Sequence, residues 1–483
     1  MEQLSKKIYD KKYKKIKIMQ FGEGNFLRAF TDWIIQKMND NGSYDGHVVV
    51  VQPMPFGRVA DLEKQDGLYT LYLQGIDEGK PVRTHEVIDV LDDFINPFTQ
   101  YDKYMKYAES EDLEVVISNT TEAGIALDKT DTDFSKCPSS FPGKLLAFLK
   151  HRYDHFGGDY NKGLCIIACE LIDNNADELH RILLELADIK GYDDDFKKWL
   201  DEANHYSSTL VDRIVPGYPR DEISTILDEL GYEDTSIVKG EIFHLWVLKK
   251  EPVVEEKFPC HKANLHAIYA ESIKPYKERK VKILNGTHTA IVPVAYLAGF
   301  DTVRETIEDK YLGTFARNFI FNEVIPTIDL PHDEMVFFAN SVLERYLNPY
   351  VRHELMSIAL NSVSKYKARI LKTVHDYIER TSSLPRHALF SLAALILFYR
   401  GKRGEASIAL NDDKLFIDIF ACLWAKYDEN HDLEKLVKDA LGWETMWGED
   451  LNKIEGFAEM VTEFLRLQLE KGMKIALISF LGE

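Results

Sequence analysis

The sequence predicts an α/β protein, an N-terminal doubly wound sheet over residues 1–250 followed by an all-α half over residues 251–483. Three observations carry this expectation. Apolar runs of strand length alternate with helix-periodic stretches through the first part of the chain, the pattern of a sheet with helices on its faces. From His261 onward nearly every segment is helix-periodic, and Pro and Gly act as punctuation rather than as strand turns, so the boundary falls near Glu251-Pro252. A length of 483 residues is also ample for more than one core.

The first element is KIKIMQFGEGNFLRAFTDWIIQKMND. Residues 16–21 are an apolar strand, Gly22-Glu23-Gly24 a turn, and Phe26, Phe30, Trp33, Ile34 and Met38 recur at helical spacing after it. A strand, a glycine turn and a helix N-terminus suit a dinucleotide pyrophosphate. Gly22 permits the tight turn, Gly24 lets the backbone approach the phosphates, and the helix offers free N–H groups, the arrangement of a Rossmann-type domain. The third glycine of the usual fingerprint is missing, with Leu27 in its place, so alone the turn reads equally as an ordinary strand–helix connection.

A second apolar run, residues 47–51, ends at Gln52-Pro53 about 30 residues after the first glycine, one βαβ step. Dinucleotide folds often carry an acid near this point to hold the adenosine ribose hydroxyls. Here Gln52 stands there, with Arg58 and Asp61 behind it. Arg58 reads either as a partner for a 2′-phosphate or as a loop cation, which leaves NAD and NADP both open.

Residues 68–73 (LYTLYL) and 84–90 alternate as a strand pair, and a mostly helical stretch runs from there through Tyr104. Strand 115–118 leaves through Asn119-Thr120-Thr121-Glu122-Ala123-Gly124, small and hydroxylic residues of the kind that line the ligand crevice of open α/β sheets. Helix 143–151, strand 164–170 and helix 177–187 complete the alternation. Glu170 ends its strand at that same edge, where it can meet a substrate hydroxyl, whereas Asp173 or Asn174 reads as a helix cap. Asp212 and Arg213 stand side by side as either a structural ion pair or a contact to substrate or cofactor.

Composition narrows the classes. Hydrophobic content of 45% and charged content of 29% describe a soluble globular protein. A net charge of -20 argues against nucleic acid and requires any anion site to be a local basic pocket within an acidic surface. Five cysteines without paired spacing favour a reducing compartment, and neither a signal peptide nor a membrane-spanning run is present, so the expectation is a cytoplasmic protein. A monomer or a small homo-oligomer fits equally.

The stretch with most chemistry is KVKILNGTH, residues 280–288. On an α-helix at roughly 100° per residue, Lys280, Asn285 and His288 share one arc of roughly 140°. Ile283 and Leu284 lie between them, and Ala290, Ile291 and Val292 carry a buried helix on to Pro293, which should break or kink it. Desolvation favours a neutral amine that can act as a general base; the plainer alternative is a solvated lysine beside a core histidine. Gly286 costs a helix about 1 kcal/mol relative to Ala, which hints that something approaches the backbone there. Further on, Lys365, Lys367 and Arg369 share a helix near Arg352-His353, readable as a solvated face or as an anion-binding wall. Trp424, Trp443 and Trp447 read as core or interface.

Together these pieces resemble the mannitol dehydrogenase family, the polyol-specific long-chain dehydrogenases, over nearly the whole chain. The resemblance rests on Arg28-Ala29 after the glycine turn, QDGLYTL at residues 65–71, the Thr121-Glu122-x-Gly124 exit, VDRI at residues 211–214, and the K-x4-N-x2-H pattern at Lys280, Asn285 and His288. FGEGNFLRAF at residues 21–30, CELID at 169–173 and NSVSKYKAR at 361–369 are similar to a branch that interconverts D-tagaturonate and D-altronate with NADH or NAD. The resemblance implies a catalytic Lys280 assisted by Asn285 and His288, with no metal. It implies NAD contacts at Phe21, Gly22, Gly24, Asn25, Phe26, Gln52, Thr121 and Glu122; the residues inferred to hold a sugar acid are Glu170, Asp212, Arg352, His353 and Lys365, Lys367 being an alternative cation. Leu171 replaces an asparagine of the mannitol-type members, and Ser357 and Leu360 replace an Arg and a His, which fits a changed substrate. Fructuronate or an uncharged polyol such as mannitol are the rival substrates, and a non-catalytic NAD-binding sensor is the rival class.

Overall fold

The computed structural model describes residues 1–482. Contacts divide the chain into two units, residues 1–74 with 82–273 and residues 75–81 with 274–483.

The first unit holds eleven strands: β1 Ile16–Phe21, β2 His47–Val51, β3 Tyr69–Asp77, β4 Lys80–Ile88, β5 Leu91–Ile95, β6 Val115–Ser118, β7 Cys165–Ala168, β8 His205–Asp212, β9 Val238–Glu241, β10 Leu245–Lys249 and β11 Ala267–Ala270. Eight of them form one sheet in the order β11-β10-β8-β7-β6-β1-β2-β5. The six from β8 to β5 are parallel. Counted in chain order, these six read 3-2-1-4-5-6, the doubly wound dinucleotide-binding order, with strand order reversing between β1 and β6. Alternation along the strands builds both faces. Ile18, Val48, Val50 and Ile117 pack with Phe30, Trp33 and Met38 on one side, while Met19, Val49, Val51 and Val116 pack with Leu145, Phe148 and Leu183 on the other.

Several sequence expectations are corrected. The division falls after Ile273 rather than near residue 251, because β10 pairs antiparallel with β8 and β11 then pairs with β10, which holds the chain on the sheet. Residues 91–95 are a strand rather than helix. Their sequence, LDDFI, hides this because its acids are paired, Asp92 with Lys11 and His47, Asp93 with Lys103 and Tyr107. The segment 68–73 does not alternate, since β3 is buried on both faces over Tyr69 to Gly75 between β4 and β9. A two-residue turn joins β3 to β4, with Glu78 and Gly79 both at positive φ, the twist that suits a tight hairpin.

The helix after the glycine turn is also two helices, α1 Asn25–Arg28 and α2 Thr31–Asp40, broken at Phe30 (φ -133°, ψ -75°). The break is held from below. Arg28 is buried, donates to the carbonyls of Glu23 and Ser236 and to the Asn25 side chain, and stacks over Tyr69. Tyr69 in turn donates to the Arg28 carbonyl and to Asp32. Arg213 donates to the carbonyls of Ala29, Ile242 and Phe243 and lies over Trp33, so it braces the same break instead of pairing with its neighbour Asp212.

The second unit is helical apart from the hairpin tip and two short strands, Lys402–Arg403 and Ala406–Ser407. Its centre is the pair of buried helices Gly286–Leu297 and Arg386–Phe398, backed by Phe457–Lys471. Pro293 does not end its helix, which continues to Leu297; the Ser391 hydroxyl donates to the Ala290 carbonyl in the turn that the proline loosens. Three π-helical segments, Lys280–Asn285, Phe319–Val324 and Lys367–Leu371, interrupt the α-helices, and the first packs against both others. Glu323, on the second, accepts from the backbone N–H of His387 and Ala388 and pairs with the His387 ring, which caps Arg386–Phe398.

Burial pushes the Asp32 carboxyl up to about 7, against hydrogen bonds from Tyr69, Thr31 and Gln20 that favour its charge. With its folded pKa raised above the unfolded value, the folded state holds an extra proton, so stability falls as pH rises from the unfolded pKa near 4 through the folded one. Asp32→Asn removes that titration. Thermal unfolding followed across this window should show a flatter pH dependence than in the parent; an unchanged slope would place the proton elsewhere.

Candidate active site

At the carboxyl edge of the sheet, the exits of β1 and β6 meet at the switch point. Gly22 has φ +123°, and a Cβ there would lie 3.0 Å from the Asn119 carbonyl and 3.1 Å from Leu27 Cδ1, so the turn admits glycine alone without strain. A Cβ on Gly24 would meet nothing within 4 Å, which leaves the backbone at the start of α1 open to a ligand. Leu27 fills the place of the missing third glycine because α1 is a single turn, and its buried side chain can enter the sheet's core.

The β6 exit is tightly folded. Thr121 takes φ 75°, rare for a β-branched residue, and a Cβ on Gly124 would collide with Thr120. Glu170 fixes this shape from β7: it accepts from the Ser118 hydroxyl at 3.1 Å, the Thr120 N–H at 2.9 Å and the Thr120 hydroxyl at 3.0 Å. Burial pushes its carboxyl up, opposed by these bonds. Glu170 is therefore turned inward as a bracket between two strand exits and not toward a sugar. The helix that follows, Asn175–Ile189, is capped by Asn175 and Ser208 and not by Asp173 or Asn174.

Of the expected cofactor contacts, Gly22, Gly24, Asn25, Gln52, Thr121 and Glu122 lie at this edge. The Phe21 ring instead is buried against Tyr104 and Phe141, and Phe26 stacks on Phe30 at 5.0 Å. Asn25 accepts from Arg28, and buried Gln52 donates to the Met54 carbonyl. Arg58 gives its guanidinium to the Thr235 carbonyl and sits beside Asp61. Asp212 is buried at the end of β8.

In the second unit, residues 280–285 are π-helical and not α-helical, which changes the geometry expected of the lysine, amide and imidazole. The i→i+5 bonding of a π-turn brings Asn285 nearly over Lys280, whereas an α-helix sets them well apart around the axis. The two lysines of the stretch differ. Lys282 is buried and fully bonded, to Asp376 at 2.6 Å, Glu278 at 3.0 Å and the Thr327 carbonyl and hydroxyl at 3.0 Å each. Lys280 and Asn285 are half-buried on another part of the turn. Gly286 faces the Arg369 carbonyl, at 3.4 Å from a hypothetical Cβ; this is ordinary contact, so the close approach is mild.

His288 follows on the helix Gly286–Leu297. Its ring lies 4.3 Å from that of Tyr346 and 5.0 Å from that of His353, centroid to centroid, and Tyr346 donates to the Leu284 carbonyl at 2.6 Å. Among the described residues its Nε2 is buried without a hydrogen-bond partner. Burial, and then the charges of His353, Arg345, Arg369 and Lys365, hold its pKa well below the ordinary value, so the imidazole is neutral. Burial also lowers His353 and Arg369; Lys365 is lowered by burial and then by Arg369. Lys365 donates to the Ile358 carbonyl at 2.7 Å, and Arg369 to the Thr289 hydroxyl at 3.3 Å.

Three cations thus gather round one neutral histidine. His353 and Lys365, read from sequence as holders of a sugar acid, lie in this cluster, whereas Arg352 is exposed and paired with Glu354. Lys367 points to Gly448. Arg345 and Tyr346, in the last turn of helix His332–Tyr346, were missed; a basic residue there reads in sequence as a partner of the helix dipole. Among the described residues no group of three or more His, Cys, Asp or Glu is placed to hold a metal ion.

The model for the mannitol dehydrogenase Rossmann domain matches residues 16–262, and that for the mannitol dehydrogenase C-terminal domain matches residues 272–467. Altronate oxidoreductase of Bacteroides thetaiotaomicron is 43% identical over 475 residues, 98% of this chain and 98% of its own. That of Bacillus subtilis is 41% identical over 479 residues, covering 99% and 98%. In fold, the chain is similar to D-sorbitol dehydrogenase in substrate-free form, with a TM-score of 0.81 at 21% identity over 99% of this chain and 100% of the other. The Pseudomonas fluorescens mannitol 2-dehydrogenase ternary complex with NAD and D-mannitol gives a TM-score of 0.63 at 20% identity over 97% and 95%.

The buried Lys282 ammonium ties the π-turn to Asp376, Glu278 and Thr327. Lys282→Met should cost about 3 kcal/mol, toward the low end for breaking a buried pair because Lys372 remains beside both carboxylates. Urea unfolding measures it; a loss below about 1 kcal/mol would mean the turn is held by packing alone.

Proposed function

The chain belongs to the mannitol dehydrogenase family, and from this premise we propose that it is an NAD(H)-dependent oxidoreductase that interconverts D-tagaturonate and D-altronate in hexuronate catabolism. The observation that carries the reading is the pairing, within one unit, of a lysine–amide–imidazole face with a cluster of cations. The first group suits a carbonyl or hydroxyl oxygen, the second a carboxylate, and a ketouronate has both. The five cysteines, all free, fit a reducing compartment such as the cytoplasm.

The glycine turn fits a dinucleotide. Gly22 and the open Gly24 backbone would receive the pyrophosphate, with Thr121 and Glu122 beside them at the switch point. When bound, NAD(H) supplies the hydride acceptor or donor.

The rest falls to side chains of the second unit. In oxidation, neutral Lys280 takes the proton from the substrate hydroxyl; in reduction, its ammonium returns a proton to the same oxygen. Asn285, one π-turn along, donates its amide N–H to that oxygen. His288, in the tautomer with its proton on Nε2, donates a second hydrogen bond, and both stabilise the developing alkoxide. Burial, with the charges around it, keeps His288 neutral, so it orients and polarises without competing for the proton. Arg369 and Lys365, with Arg345, attract the carboxylate; an arginine fork can take both oxygens at once.

Two experiments test this. Loss of NADH absorbance with purified protein should be fast with D-tagaturonate and slow with D-fructuronate and D-fructose, and Lys280→Ala should lower turnover by about three orders of magnitude or more while NADH still binds. Unchanged turnover in that variant removes the proton-transfer role. Arg369→Gln should raise KM for tagaturonate about tenfold or more, from a lost charge-assisted hydrogen bond, with little change toward fructose. Equal effects on both substrates would remove the carboxylate from this cluster.

A further inference from the structure

The end of β2, where dinucleotide folds keep an acid for the adenosine ribose, here carries Gln52, whose carboxamide is buried and donates to the Met54 carbonyl. The structure brings a carboxylate to the same spot from another strand. Glu23, between the two glycines of the turn, extends across to the β2 exit, where its Oε1 accepts the Arg58 backbone N–H at 3.2 Å. A Cβ on Gly57 would lie 2.1 Å from Glu23 Oε1 and 2.5 Å from Gln52 Oε1, so Glu23 and Gln52 stand side by side in a space that only glycine at position 57 leaves open. The loop beyond exposes Met54 and Phe56, the latter at 85%, apolar surface of the kind a purine ring covers.

We propose that Glu23, and not a residue of β2, accepts the adenosine ribose hydroxyls and makes the chain selective for NAD over NADP. This rests on the reading that the first unit binds a nicotinamide dinucleotide. Oε1 is held by the Arg58 N–H, which fixes the carboxylate's position. A carboxylate so placed accepts from a ribose diol and repels a 2′-phosphate. The nearby cations Arg28 and Arg58 favour the charged carboxylate, but their own donors are committed elsewhere. The Arg58 guanidinium is directed to the Thr235 carbonyl and Asp61, and Arg28 is engaged by Ser236, Asn25 and the Glu23 backbone carbonyl. Sequence inspection overlooks Glu23 because it sits about 30 residues before the expected position and resembles an ordinary turn residue.

The test is a fluorescence titration of the full chain with NADH and with NADPH, without substrate, for the parent and for Glu23→Gln, Glu23→Asp and Arg58→Ala. The parent should bind NADH more tightly. Glu23→Gln keeps the volume and loses the charge, and should narrow the NADH-over-NADPH ratio of Kd values about tenfold or more, mainly through tighter NADPH. Glu23→Asp, which keeps the charge, should still reject NADPH. Glu23→Ser reads the same ratio should the glutamine variant fail to fold. A ratio that stays the same in Glu23→Gln and Glu23→Ser, with both dinucleotides weakened equally, overturns the proposal by showing a structural role. So does a parent that prefers NADPH and loses it in Arg58→Ala. A parent that binds neither dinucleotide overturns the underlying reading of the first unit.

Discussion

The helical unit depends on one buried charge. Lys282 carries its ammonium into the interior, where it is stable only because Asp376, Glu278 and Thr327 surround it. These partners come from three other segments of the unit, so satisfying one ammonium ties those segments to residues 280–285. The same stretch is π-helical, a strained form that persists where surrounding structure over-determines it. Because the turn is wide, Lys280 and Asn285 fall into register one above the other, and His288 follows on the buried helix. The face that carries Lys280, Asn285 and His288 is thus set beside the point where Lys282 is anchored.

Around that face the charge distribution inverts the character of the chain. The molecule carries a net charge of -20, yet the groups that act on His288 are His353, Arg345, Arg369 and Lys365. Partial burial makes this local arrangement effective, since screening by solvent and distant surface carboxylates falls away over a few ångströms inside low-dielectric surroundings. Burial lowers the pKa of both Lys365 and Arg369, and the Arg369 charge lowers Lys365 further. Such a cluster favours an incoming carboxylate because the anion relieves repulsion already present.

Much of the first unit was legible from sequence. β1, β2 and β6 begin and end at the expected residues because runs such as KIKIMQF and HVVVV, buried on both faces, have no other use. β5 was not legible, since its two aspartates look like loop residues until Lys11, His47, Lys103 and Tyr107 are brought to them from elsewhere. The break between α1 and α2 was hidden in the same way: FLRAFTDWII has sound helical spacing, and Tyr69 and Arg213, from distant parts of the chain, bond to the carbonyls of Arg28 and Ala29 where it kinks. Glu170 looked like a free acid at a strand end, but its partners Ser118 and Thr120 lie on a neighbouring strand that pairing alone brings near.

What the sequence determined by itself was local and periodic: the doubly wound order of strands and helices, the glycine turn that needs a positive φ at Gly22, the helical character of the second half, and the grouping of Lys280, Asn285 and His288 within nine residues. These follow from side-chain size, turn stereochemistry and short spacing, which act over a few residues. The tertiary structure decided which like residues differ in role. It separated Lys282 from Lys280, set Arg352 against Glu354 and Lys367 against Gly448 while Arg345 and Arg369 act on His288, and set Glu23 beside Gln52. These choices depend on burial and on partners distant in the chain, such as Asp376 and Thr327 for Lys282 and Arg58 for Glu23, and local pattern carries no record of either.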